Sequence, residues 1–239
     1  MNINSPETIK SRLRIGIFGG AFDPPHLAHA QLAQTAIDDL QLDELIVVPT
    51  GQALHKSRQL SASNHRLRMT QLAFEGMPRV SVDACELSRA GVSYSFDTLV
   101  DIKNRHLDQD KRADFYLIIG ADQAEKFDTW HKWIDILQIA TLAIADRPSD
   151  VSTDTTLTPR NLELDRYRWH NKDLFKSAQN SQSRANPGIA VKLNMPSMPV
   201  SATQIRELIQ EGSDVSQWVS PAVLAYINYH SLYTPKSIT

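Results

Sequence analysis

The chain has one cysteine, Cys85, in 239 residues. A lone thiol closes no internal disulfide and builds no cysteine-cluster metal site, so Cys85 is expected as a small buried hydrophobe in a strand. No apolar run reaches the 18 or so residues needed to span a bilayer, and the first ten residues, MNINSPETIK, lack the apolar core of a signal peptide. No membrane partner is therefore expected, and the cytoplasm is the expected compartment. There is no basic surplus either: Lys and Arg total 25 against 27 Asp and Glu, a net charge of −2. General nucleic-acid binding usually needs such a surplus, so nucleic acid is not an expected partner, although a local basic pocket for nucleotide phosphates is compatible with this balance. The GxxxxGK[ST] phosphate loop is missing, and so is any repeat of fixed period.

What is present suffices for a packed core, with 41% hydrophobic and 22% charged residues. The length predicts one domain over 1–239, with a polar insertion at about 148–188 and a helical C-terminal part at about 201–233. Short apolar runs at Ile15–Phe18, Leu45–Val48, Arg79–Val82, Phe115–Ile119, Thr141–Ala145 and Ile189–Leu193 read as strands. Helical patterns lie between them, near His26 to Leu40, His65–Phe74, Phe96–His106 and Trp130–Gln138. Strands alternating with helices predict βαβ units, hence a mainly parallel, doubly wound α/β sheet with helices on both faces. From Arg147 to Pro187 the pattern dissolves into Ser, Thr, Asn, Asp and Arg; residues 1–11 are also polar and expected to fray. Ser201-x-x-Gln204 then fits a capping box, and Ser220-Pro221 fits an N-cap with proline at N1.

The densest stretch is IGIFGGAFDPPHLAHA, residues 15–30. An apolar strand runs into Gly19 and Gly20, where a sharp turn is expected because no Cβ is in the way. A helix opens at His26. Free N–H groups and the positive end of the helix dipole meet there and favour an anion. His26 and His29, three residues apart, are neighbours on one helix face. A metal reading of Asp23, His26 and His29 is the weaker alternative, because zinc-hydrolase helices space their histidines by four with a glutamate between. In an open parallel sheet, ligands gather outside the carboxyl ends of the strands. Other chemistry-bearing residues follow strands in just this way: His55 and Lys56 after the second, Gly120 and Asp122 after the fourth, and Ser201, Thr203 and Arg206 after the last. Thr203 and Arg206 sit near a second helix N-terminus, where hydroxyl, N–H and guanidinium converge on phosphate.

These motifs resemble the nucleotidyltransferase superfamily with the HxGH signature, here His26-Leu27-Ala28-His29, and GGAFDPPHLAH looks like the adenylyltransferase pattern GG[ST]FDPxHxGH. Ala21 replaces the usual hydroxyl residue and Ala28 the usual glycine. VSATQIR is similar to the superfamily's [IV]S[AS]TxIR. Three further stretches resemble bacterial nicotinate-nucleotide adenylyltransferases: ELSRAGVSYSFDTL (86–99), FYLIIGADQAEKFDTWHKWIDIL (115–137), and Arg147-Pro148, with Ser149 in place of the family's glycine. The resemblance covers nearly all of residues 14–233, and it implies a Rossmann-like fold.

The resemblance further implies adenylyl transfer from ATP to nicotinate mononucleotide. No nucleophile with a matched base occurs in the motifs, which suits an acceptor phosphate that is already ionised. Catalysis is then positioning and charge stabilisation, for which His26, His29, Lys56 and Arg206 are suited, with Mg²⁺ entering on the ATP phosphates. ATP would contact Gly19, Gly20, Ala21, Phe22, His26, His29, Gly120, Asp122, Ser201, Thr203 and Arg206. Nicotinate mononucleotide would contact Gly20, Asp23, His55, Lys56, Tyr94, Ser95, Arg147 and backbone N–H groups near His131, with Trp130 stacked on the pyridine ring. Simple core packing of Trp130 and helix capping by Ser95 are the structural alternatives. Relatives acting on nicotinamide mononucleotide or another phosphate acceptor, and a non-catalytic nucleotide-binding regulator, are the functional ones.

Overall fold

The computed structural model of the chain describes residues 12–51, 60–107, 112–145, 190–196 and 198–234. His55, Lys56, Arg147, the polar stretch at 148–188 and residues 1–11 lie outside the described residues.

The sheet is built on β1 (Leu13–Gly20), whose neighbours are β2 (Glu44–Pro49) and β4 (Ala113–Gly120). Its six strands, with β3 (Val80–Val82), β5 (Ala140–Ala145) and β6 (Ala190–Leu193), follow the order β3-β2-β1-β4-β5-β6, and every pairing is parallel. Ile17 pairs with Ile46 on one side and with Leu117 on the other. Residues 15–18 of β1, 45–49 of β2 and 117–119 of β4 are buried consecutively, since both faces are covered.

Alternation along β1 sorts the two faces. Phe18 points into a cluster with Leu32, Ala36 and Ile37 of α1 (Leu27–Leu40) and Phe74 of α2 (Ser63–Phe74). Ile15 and Ile17 point the other way, into a cluster with Leu99 and Ile102 of α4 (Ser95–Leu107) and Ile136 of α6 (Trp133–Ile139). Between these helices lie two one-turn pieces, α3 (Cys85–Ser88) and α5 (Ala121–Ala124), and a 3₁₀ turn at Phe127–Thr129. A third cluster joins Met69 of α2 to Ile205 of α7 (Ala202–Gln210) and to Val223 and Ile227 of α8 (Pro221–Tyr229). Through it the C-terminal helices dock beside the carboxyl edge of the sheet. No helix among the described residues is long and apolar enough to cross a membrane.

Several expectations change. Neither Gly19 nor Gly20 turns; both finish β1, and neither has a positive φ. The left-handed residue is Phe22, φ 47°, whose ring is held at 1% exposure. The helix expected from Trp130 begins at Trp133. Trp130 instead closes the 3₁₀ turn, its N–H donating to Phe127 O at 3.0 Å, and Lys132 takes a left-handed conformation before the helix starts. Cys85 opens α3 and is only half-buried, because β3 ends three residues earlier. Burial and the charges of Asp83 and Glu86 push its thiol up to about 11, so it is not a nucleophile at neutral pH. The C-terminal caps form: Ser201 Oγ accepts the Gln204 N–H at 3.2 Å, and Ser220 Oγ accepts that of Val223 at 3.4 Å, with Pro221 at N1. The Gln204 side chain departs from the reciprocal box, accepting from the Ser201 hydroxyl rather than from its backbone.

Candidate active site

With the strand order β3-β2-β1-β4-β5-β6, connections leave β1 toward one edge and β4 toward the other. A crevice opens between their carboxyl ends, where ligands of such sheets bind. Gly19 and Gly20 end β1, and Gly120 ends β4 and serves as N-cap of α5, with Asp122 exposed in its first turn. A Cβ built on Gly19 meets nothing within 4 Å, whereas one on Gly20 would lie 2.8 Å from the Phe22 ring. The first glycine thus leaves open space above the strand end. The second makes room for an internal aromatic.

His26 is the N-cap of α1, in extended conformation, and His29 is its third residue. The imidazole of His29 reaches back, Nδ1 accepting the His26 backbone N–H at 3.1 Å, which is half of a capping box made with a histidine. The two rings lie 3.8 Å apart at 33°, and His29 also packs on the edge of Phe22 at 5.0 Å. Burial, and then the neighbouring His26, hold its pKa well below the ordinary imidazole value. A neutral ring that accepts at Nδ1 carries its proton on Nε2. His29 is accordingly a neutral hydrogen-bond donor at pH 7.

The loop between β1 and α1 is gripped from three directions. Arg206 Nη1 donates to the Asp23 carbonyl at 2.7 Å, and its Nη2 donates to Thr203 Oγ1 at 3.1 Å. The Tyr233 hydroxyl donates to Asp23 Oδ1 at 2.7 Å, while Ser61 N–H donates to Oδ2 at 3.1 Å. Burial and the Asp23 charge keep the Tyr233 proton in place far above the ordinary phenol range. Leu27 N–H donates to Trp218 O at 2.8 Å. Arg66 works from below: its guanidinium, on a residue 4% exposed, donates to the carbonyls of Ala21, Thr50 and Ser61 at 3.1, 2.6 and 3.1 Å.

A second group forms further along the carboxyl edge. Tyr94 and His131 stack at 4.3 Å and 32°. Ser95 is the first residue of α4, not its N-cap, and Trp130 is half-buried beside Phe127 at 5.3 Å. The structure therefore unites Gly19, Gly20, Ala21, Phe22, His26, His29, Thr203 and Arg206 around the β1 end, and separately pairs segment 94–95 with segment 130–131. Asp23 is not offered to solvent. It is 1% exposed, with its carboxylate accepting internal donors. Arg66, Glu86 and Tyr233 escape the sequence reading. Arg66 and Tyr233 carry no motif, and Glu86 stands inside one without an obvious partner. Among the described residues no group of three or more His, Cys, Asp or Glu side chains is arranged to hold a metal ion.

The cytidylyltransferase-like family model matches residues 17–208. A protein of Albidiferax ferrireducens, described as a "Probable nicotinate-nucleotide adenylyltransferase", is 42% identical over 220 residues, covering 92% of this chain and 98% of that protein. The chain belongs to this family of nucleotidyltransferases. A family member of the same description from Laribacter hongkongensis is 34% identical over 230 residues, covering 96% and 99% of the two chains. Among solved structures, the Plasmodium falciparum nicotinic acid mononucleotide adenylyltransferase complexed with NaAD aligns with a TM-score of 0.67. It is 18% identical and covers 93% of this chain and 98% of its own. At that identity the likeness speaks for the fold, which is the family's parallel sheet with flanking helices.

Proposed function

We propose that this chain transfers the adenylyl group of ATP to nicotinate mononucleotide, releasing pyrophosphate and forming nicotinate adenine dinucleotide for NAD biosynthesis in the cytoplasm. The observation that supports the choice of acceptor is the stacking of Tyr94 on His131 at 4.3 Å, which joins the two segments that carry Ser95 and Trp130, about 35 residues apart in the sequence. A flat aromatic wall with a hydroxyl and helix-start N–H groups suits a pyridine ring bearing a carboxylate.

The chemistry follows from the donors. An oxygen of the acceptor's 5′-phosphate attacks the α-phosphorus of ATP, the α–β bridging P–O bond breaks, and the electron pair leaves with pyrophosphate. No general base is needed, because the attacking phosphate is already an anion. His26 at the helix N-terminus, neutral His29 and the Arg206 guanidinium are donors suited to charge that builds on the α-phosphate, and each such donor is typically worth about 10²- to 10³-fold. Lys56, after β2, is assigned to the same charge and, with His55 and with Arg147 after β5, to the acceptor. Gly120, Asp122, Ser201 and Thr203 are assigned to ATP. Asp23 serves as an anchor beneath the loop instead of a ligand contact, because internal donors already occupy its carboxylate. The donor set suits anions, and Mg²⁺, entering on the triphosphate, would there neutralise charge on the leaving pyrophosphate.

The test is pyrophosphate release from Mg·ATP with nicotinate mononucleotide, run beside nicotinamide mononucleotide and phosphopantetheine. Release with the acidic mononucleotide well above the other two is expected. Preference for the amide would overturn the pocket assignment. No release with any acceptor, despite ATP binding, would favour a regulator.

A further inference from the structure

Glu86 is 7% exposed, and both of its carboxylate oxygens are used. Gly51 N–H donates to Oε2 at 3.1 Å, and the Thr98 hydroxyl donates to Oε1 at 2.8 Å. Thr98, 2% exposed, also accepts from Arg89 Nη1 at 3.2 Å. A threonine hydroxyl has a single proton, so the direction of the chain is fixed: Arg89 donates to Thr98, and Thr98 donates to Glu86. The backbone fits as closely as the side chains do. A Cβ on Gly51 would collide with the Glu86 carbonyl oxygen and lie 2.6 Å from Ser93 Oγ, and Ser93 itself donates to that carbonyl at 3.3 Å.

The two ends of this chain reach the two halves of the site. Thr98 lies one turn into α4, and its N–H donates to Tyr94 O at 3.2 Å, so it fixes the turn that carries Tyr94 and Ser95. Gly51 follows Thr50, whose N–H donates to Gly20 O at 2.8 Å, at the end of β1 where the adenylyl donor is assigned. From these contacts we infer that Glu86 is a positioning residue that sets the acceptor's pocket at a fixed distance from the ATP end of the crevice. It touches neither substrate. The inference rests on the acceptor reading given under Proposed function.

A reaction between two bound phosphates is sensitive to such spacing, because a small misplacement removes the near-attack geometry. Thr98→Val keeps the shape of the side chain and deletes the donor. Glu86→Gln keeps an acceptor for Gly51 but turns an amide toward Thr98, whose proton then has no acceptor. Each variant is expected to lower kcat/KM for nicotinate mononucleotide about tenfold, the scale of one hydrogen bond to a charged group. Mg·ATP affinity, titrated calorimetrically without acceptor, should stay within about twofold. Thr98→Ser should restore the rate, and the double variant should be no worse than either single one, since both break the same link.

Melting curves accompany the kinetics; if Glu86→Gln does not fold, the Thr98→Val and Thr98→Ser pair carries the test. Unchanged acceptor kinetics in Thr98→Val would overturn the inference while leaving the function standing, as would an equal loss of ATP affinity or a serine variant as poor as valine. A wild-type protein inactive on nicotinate mononucleotide would sink the functional reading and this inference together.

Discussion

At the scale of single residues, the two glycines at the end of β1 have different reasons to be there. Around Gly20 the Phe22 ring is boxed in by Phe18 at 5.4 Å, Phe74 at 6.0 Å and His29 at 5.0 Å, so it cannot retreat from a new Cβ 2.8 Å away. Gly20→Ala is expected to cost about 1–3 kcal/mol of stability by overpacking. Gly19 faces open space, so Gly19→Ala should melt at or slightly above the wild-type temperature, alanine losing less backbone entropy than glycine. That methyl would nevertheless enter the open space assigned to the nucleotide under Proposed function. ATP titration should therefore show weakened binding in Gly19→Ala; wild-type affinity there would remove Gly19 from the site. The sequence suggested one reason for both glycines, a sharp turn. The turn falls at Phe22, since only the folded core reveals why a phenylalanine is held at φ 47°. His29 was legible as a partner of His26, but its neutral tautomer depends on the His26 N–H and on Phe22, contacts that spacing alone does not supply.

Between elements, the main finding is that α1 begins under the hold of the C-terminal segment. Tyr233, after α8, and Arg206, in α7, both bind Asp23, three residues before His26. Tyr233→Phe removes only a hydroxyl, but it takes a 2.7 Å donor from a carboxylate that is 1% exposed. A loss of about 1.5–3 kcal/mol is expected, read as a lower urea midpoint with unchanged slope. Tyr229, which is 84% exposed, supplies the control, because its phenylalanine variant should stay within about 0.5 kcal/mol. Equal midpoints for both variants would contradict the latch. The strands were legible because apolar runs bounded by Gly and Pro mark buried parallel strands whatever their partners. Helix starts with Ser-x-x-Gln and Ser-Pro were legible for the same local reason. The start of α6 was not. Apolar spacing continues back to Trp130, but that ring packs from a 3₁₀ turn, and the break at Lys132 is a left-handed residue with no Gly or Asn to announce it. Arg66 also stayed hidden. An arginine between apolar helix positions looks like a solvated surface residue until three loop carbonyls are seen to converge on it.

At the scale of the whole molecule, the alternation of strands and helices predicted a parallel sheet, and the order β3-β2-β1-β4-β5-β6 puts the glycine-ended strands β1 and β4 side by side at its centre. That adjacency turns motifs about 100 residues apart into one crevice, with the C-terminal helices closing its flank. Nothing local in the sequence states the adjacency. It follows from right-handed crossovers wound in two directions from the middle of the sheet. Family membership supplies the chemistry to be tested on this frame. Phosphorus NMR of the purified protein with Mg·ATP and nicotinate mononucleotide tests it most directly, because it reports which P–O bond breaks. Attack at the α-phosphorus predicts loss of all three ATP resonances in step with growth of pyrophosphate and of the paired diphosphate signals of a dinucleotide. Formation of ADP, with inorganic phosphate or a phosphorylated acceptor, would mean attack at the γ-phosphorus and would contradict adenylyl transfer.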